Sequence, residues 1–168
     1  MTSREAAAQA AAPASWDRVV GRAAELTAIS EFLEAAGARA LVVVGDPGIG
    51  KTTLWEAGLD TARGQGYRVL ATRASGAEAR LSHTGLMDLL DDVDEKELAG
   101  LPTPQRRALE VALLRAEPSG APSESAIALG LLNTLRALAR SPVVIAVDDV
   151  PWLDRPTADA LVFAARRL

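Results

Sequence analysis

Residues 41–55, LVVVGDPGIGKTTLW, run four apolar residues into a glycine-rich loop and then into a lysine and two threonines. The loop 45-GDPGIGKT-52 meets every fixed position of the pattern G-x-x-x-x-G-K-[ST]. Its glycines let successive backbone N–H groups turn inward, and the helix that follows adds the partial positive charge of its N-terminus. Lys51 can then reach the β- and γ-phosphates of a nucleotide, and the Thr52 hydroxyl suits a Mg²⁺ ligand. Average residue usage puts a chance match in a chain this long on the order of one in a hundred. The stretch therefore predicts a strand, a phosphate-binding loop and a helix.

Working outward, 40-ALVVV-44 is a solid aliphatic run without alternation, as expected of a strand buried on both faces. Residues 22–37 place Leu26, Ile29 and Leu33 on one helical face with Phe32 beside them. Residues 51–66 predict a helix stopped at Gly64 or Gly66, and 67–74 a second strand. The middle is helical, with candidates at 82–92, 104–115 and 124–140 separated by loops at 100–102 and 117–123. A third strand over 142–147 leads into Asp148 and Asp149, and a final helix covers 155–168. Strands separated by helices imply parallel pairing and an α/β sandwich.

The stretch 143-VVIAVDDVPWLD-154 carries acids where a parallel strand would emerge from the sheet. There Asp148 would face a metal through water, and Asp149 could orient or deprotonate an attacking water. The second acid is aspartate rather than glutamate, so its carboxylate reaches one methylene less far, which points to slow hydrolysis. Asp154 can cap the final helix. His83 reads as a solvated residue at a helix start, 91-DDVDEKE-97 as a solvated helix end, and Arg166 and Arg167 as a solvated last turn.

Composition narrows the setting. The 168 residues are 49% hydrophobic and 24% charged, with a net charge of −4. That balance gives no general pull toward nucleic acid or an anionic membrane. With no cysteine, thiol catalysis and zinc–thiolate sites are excluded, and one histidine disfavours a multi-histidine metal site or a Ser-His-Asp triad. Residues 1–15 read as a disordered alanine-rich tail rather than a secretory signal. No apolar run approaches the roughly 20 residues that span a bilayer. The expected location is cytoplasmic.

Val20-Gly21-Arg22, the loop GDPGIGKTTL, and VVIAVDDVPWLDRPT with its closing helix together resemble one family. It is the nucleotide-binding domain of large, MalT-like LuxR-type transcriptional regulators, within the STAND signalling ATPases and, more distantly, the AAA+ proteins. The likeness covers residues 18–168, and 83-HTGLMDLL-90 and 101-LPTPQRRALEVAL-113 are similar to that family's helical insert. The resemblance implies a P-loop NTPase fold, a three-layer α/β/α sandwich around five parallel strands ordered 5-1-4-3-2. Only strands 1–3 can be assigned here, so an incomplete sheet is expected, with residues 16–168 as the N-terminal portion of the ATPase domain and an insert over about 77–140. By the same resemblance Gly45, Asp46, Pro47, Gly48, Ile49, Gly50, Lys51, Thr52 and Thr53 would line the phosphates of ATP or ADP. Thr52 and Asp148 would serve Mg²⁺, Asp149 the attacking water, and Val20, Gly21 and Arg22 would lie near the adenine.

The implied function is an ATP-binding, weakly hydrolysing switch domain of such a regulator. The alternative is an AAA+-type ATPase that couples hydrolysis to mechanical or loading work. A small-molecule kinase would need an arginine-bearing lid and a substrate acid, and neither is visible; an inert remnant that keeps the motifs is the fourth reading. No element for reading DNA is expected in this segment. An incomplete sheet is expected to promote self-association.

Overall fold

A strand forms where a neighbour accepts its hydrogen bonds, and in the computed structural model two segments meet that condition. The structure describes residues 19–118, 120 and 123–168; the tail expected over 1–15 lies outside the described residues. The chain divides into two compact units, Met1–Tyr67 and Arg68–Leu168.

The first unit pairs α1 (Ala23–Glu34) with α2 (Lys51–Gly64). Leu26, Ile29 and Leu33 of α1 are buried, as the helical spacing requires, and so are Leu54, Ala57, Leu59 and Ala62 of α2. Burying each leucine or isoleucine side chain stabilises by about 1.5–3 kcal/mol. Behind Gly64, Tyr67 N–H donates to Ala62 and Gly66 N–H to Arg63, so the last carbonyls of α2 are satisfied where the glycines announced its end. The Tyr67 hydroxyl donates to the Leu33 carbonyl and ties the end of α2 to the end of α1.

The strand expected over 40–44 is not formed. These residues have no regular structure and no ladder partner among the described residues, and Val42 and Val44 are 76% and 87% exposed. β-propensity describes how well a side chain suits a pleated surface built by neighbours, and without neighbours the aliphatic run cannot bury itself.

The second unit is an α/β structure in which helices flank a small parallel sheet. Its elements are β1 (Arg68–Arg73), α3 (Thr84–Leu89), α4 (Glu95–Leu98), α5 (Thr103–Ala112), α6 (Glu124–Leu138), β2 (Val143–Asp148), a 3₁₀ turn (Val150–Trp152) and α7 (Arg155–Ala165). The described sheet has two strands, β1 and β2, paired in parallel from Arg68↔Val143 to Arg73↔Asp148. Of the five parallel strands that the resemblance implies, the described residues form the second and third assigned ones, side by side as the implied order has them. Helix α6 carries much of the core, with Ile127, Leu131, Leu132, Leu135 and Leu138 buried among Leu70, Leu86, Leu90, Leu98 and Leu109.

The acidic run 91–97 does more than meet solvent. Asp94 caps α4 by accepting from Glu97 N–H, while the Glu97 carboxylate accepts from Asp94 N–H. Arg68 also donates to Glu97 and, at 2.9 Å, to the Asp92 carbonyl. The Arg68 guanidinium holds the Glu97 carboxyl below its ordinary value, against the opposing effect of burial. Arg167 stacks on the Phe163 ring and donates to its carbonyl, so this arginine closes the end of its own helix.

Candidate functional site

In the first unit, Asp46 to Gly50 curl so that Ile49 N–H donates to the Asp46 carbonyl at 3.3 Å. Gly48 (φ +77°) and Gly50 (φ +91°) take backbone conformations that an L side chain rarely adopts, and the space beside each is open. Gly50 enters α2 with no side-chain cap, so the first amides of that helix have no capping partner from the loop. Amides at a helix N-terminus behind an open glycine bend suit a phosphate.

Lys51 donates from Nζ to the carbonyls of Gly45 and Asp46, both at 3.0 Å. The lysine thus folds back over its own loop, its charge held by two carbonyl dipoles rather than by a carboxylate. Thr52 is half-buried and Thr53 exposed in the first turn of α2. Of the three residues expected beside an adenine, Arg22 comes to the loop, donating from Nη2 to the Ile49 carbonyl. Val20 is 89% exposed.

In the second unit, Asp148 ends β2 and is buried. Its Oδ1 accepts from Asp149 N–H at 3.0 Å. Its Oδ2 is buried and accepts no hydrogen bond among the described residues; Arg73 Nε stands 3.3 Å away, close enough for an ion pair but outside hydrogen-bond geometry. A carboxylate oxygen in that condition suits a cation, with Arg73 as the competing positive charge. Asp149 is exposed in the left-handed region (φ +54°), a conformation that aspartate tolerates better than most residues. Trp152 packs over the loop, since a Cβ on Gly76 would stand 3.3 Å from its ring.

The most connected acid is the one read only as a helix cap. Asp154 does cap α7, accepting from Thr157 N–H at 2.9 Å. It also accepts from His83 N–H at 2.9 Å, Gly85 N–H at 3.0 Å and the Thr84 hydroxyl at 3.3 Å. His83 is buried rather than solvated, with Nε2 3.3 Å from Glu124. A Cβ on Gly85 would stand 2.5 Å from Leu153 Cδ1, so a side chain there would have to displace that methyl. The sequence offered a partial signal, an aspartate three residues before Thr157, but nothing local marks its partners some 70 residues upstream.

The model of one protein family, described as AAA ATPase domain, matches residues 18–168. The chain belongs to the AAA ATPase domain family. No curated protein and no solved structure matches it. Membership of the AAA family carries nucleotide binding in general terms. No helix among the described residues is long and apolar enough to cross a membrane.

Proposed function

We propose that the chain is the ATP-binding portion of an AAA-type ATPase, with Mg·ATP or ADP held on the loop from Gly45 to Thr53. The observation that supports this most is the open bend at Gly48 and Gly50 running into α2 without a side-chain cap, with Lys51 held by two loop carbonyls. In this reading Lys51 exchanges those carbonyls for phosphate oxygens. Thr52 in the first unit and Asp148 in the second are the residues that would serve magnesium, whose chemistry when bound is to neutralise charge on the phosphates. Asp149 orients water, and Val20, Gly21 and Arg22 flank the nucleotide. Residues 16–168 act as one ATPase portion, with the helices of about 77–140 inserted between β1 and β2.

A second, narrower reading is a switch domain of a LuxR-type transcriptional regulator, in which ATP is retained more than it is turned over. It is favoured by the exposed, short carboxylate of Asp149 at the position of the water-orienting acid. Steady-state phosphate release separates the two. The proposal includes no direct contact with DNA by this segment, whose net charge is −4.

Calorimetric titration with ATP and ADP, each with and without Mg²⁺, tests the site. Both nucleotides are expected to bind, and Asp148→Asn should reduce the gain that Mg²⁺ gives to ATP because the metal loses an anionic neighbour. Absence of binding by either nucleotide would remove the assignment, and an unchanged Mg²⁺ effect would remove Asp148 from it.

Self-association belongs to the same proposal. The outer edge of β2, with the uncharged sequence 143-VVIAV-147, has no ladder partner among the described residues and offers its backbone groups to another strand, and Val42 and Val44 offer exposed aliphatic surface. Sedimentation velocity should show mass rising with concentration, and a charge at Ile145 (Ile145→Lys) should suppress the rise. A monomer at every concentration would dismiss this part.

A further inference from the structure

The peptide that joins Ile49 to Gly50 ends at a glycine of positive φ, +91°, and the glycine before Ile49 also has positive φ, +77°. Rotation of this peptide as a plate changes ψ of Ile49 and φ of Gly50, and on the Gly50 side no Cβ resists it. Its orientation matters. In a trans peptide the carbonyl and the following N–H point in opposite directions, so the direction of the Ile49 carbonyl sets the direction of the Gly50 N–H. Were the carbonyl to swing into the bend, a negative dipole end would replace a donor where a phosphate is to sit.

Arg22 governs that choice. Its Nη2 donates to the Ile49 carbonyl, and its Nη1 lies 3.4 Å from Glu25 Oε1, one turn along α1. The arginine is itself anchored, because its carbonyl accepts from Leu26 N–H at 3.1 Å as α1 begins. Helix α1 packs on α2 through buried Leu26, Ile29 and Leu33, and α2 starts where the loop ends. The chain therefore holds the carbonyl from outside the bend with a group fixed to the same pair of helices. A charge-assisted hydrogen bond is roughly twice as strong as a neutral one, enough to bias an otherwise loose peptide.

We infer that Arg22 is a positioning residue that latches the Ile49 carbonyl and so keeps the Gly50 N–H directed away from Arg22, ready for a phosphate, rather than a residue that recognises the base. The inference rests on the nucleotide-binding reading above. It also separates Arg22 from Val20 and Gly21, its neighbours in the segment expected near an adenine.

The test compares wild type, Arg22→Ala and Arg22→Lys in three measurements. Magnesium pyrophosphate, which has no base, should bind Arg22→Ala about tenfold more weakly than wild type, with ADP weakened by the same factor. Arg22→Lys should recover part of the loss, since an ammonium can still donate to one carbonyl. In nucleotide-free protein, hydrogen exchange at the Ile49 amide, bonded to Asp46 in the latched loop, should quicken several-fold in Arg22→Ala. Undiminished pyrophosphate binding with weakened ADP binding would assign Arg22 to the base and overturn the latch. Unchanged Ile49 exchange would overturn it too, and this arm stands without any ligand. Failure of wild type to bind either ligand would instead overturn the nucleotide reading.

Discussion

Asp154→Ala should destabilise the second unit by about 3–5 kcal/mol, the range found when a buried charged partner is deleted. The side chain is 2% exposed, and its two oxygens accept from three backbone amides and one hydroxyl. Alanine would leave the amides of His83, Gly85 and Thr157 buried without acceptors, each at a cost of about 1–3 kcal/mol before relaxation. Relaxation by water is hindered, because Leu153 and Thr157 already press on Gly85. Asp154→Asn should cost roughly half as much, since one oxygen remains while the amide group turns a donor toward other donors. Urea unfolding followed by circular dichroism measures both. A loss under about 1 kcal/mol for alanine would mean that these hydrogen bonds are not what joins the start of α3 to the start of α7.

The same acid gives that stability a pH dependence of definite sign. Burial alone would raise the Asp154 carboxyl, but the hydrogen bonds from Thr157, Gly85 and His83 outweigh it and hold the group below its ordinary value. A carboxyl lowered in the folded state contributes stability that is fully present above its unfolded value, about 3.9. That contribution drains away as pH falls through the folded value. Wild type should therefore lose its advantage over Asp154→Asn in the acid range, and the gap between them should be constant from pH 5 upward.

Where the signal was local, the sequence could be read. The helices follow from apolar spacing, and 103–112, 124–138 and 155–165 lie close to their expected limits. The loop at 45–52 is legible because its glycines and lysine are fixed by backbone geometry within eight consecutive residues. The strands at 68–73 and 143–148 were legible for a different reason, since each found the other across a long helical insertion. The run at 40–44 is just as aliphatic and forms no strand, because sheet structure is a property of neighbours that composition cannot supply. His83 departs from its expected solvation for a related reason. A histidine before a short helix is ordinarily wet, but its burial here follows from Asp154 and Glu124, which are distant in sequence. Likewise nothing within Val20-Gly21-Arg22 announces that Arg22 meets a carbonyl 27 residues on.

Lys51→Ala should weaken ATP and ADP binding by about 10- to 150-fold while leaving unfolding nearly unchanged. The affinity loss follows from removing a charge-assisted contact to phosphate, worth roughly 1.5–3 kcal/mol. The small effect on folding follows from what the lysine touches in the free protein: the carbonyls of Gly45 and Asp46, at 3.0 Å each, in the same short loop. Those carbonyls lie at an open bend, so water can replace the ammonium when it is deleted. The two halves of the expectation depend on each other. If Lys51 were a structural staple of the loop, alanine would lower stability and affinity together, and the loss would appear without ligand. If it is the phosphate-facing cation, the melting temperature without nucleotide should match wild type, while the rise that ADP near the wild-type Kd produces in wild type should nearly vanish. Equal ADP affinity in the two proteins by calorimetry would show that the lysine keeps its carbonyls when nucleotide is present, and the loop would then lose its main claim to be a phosphate grip.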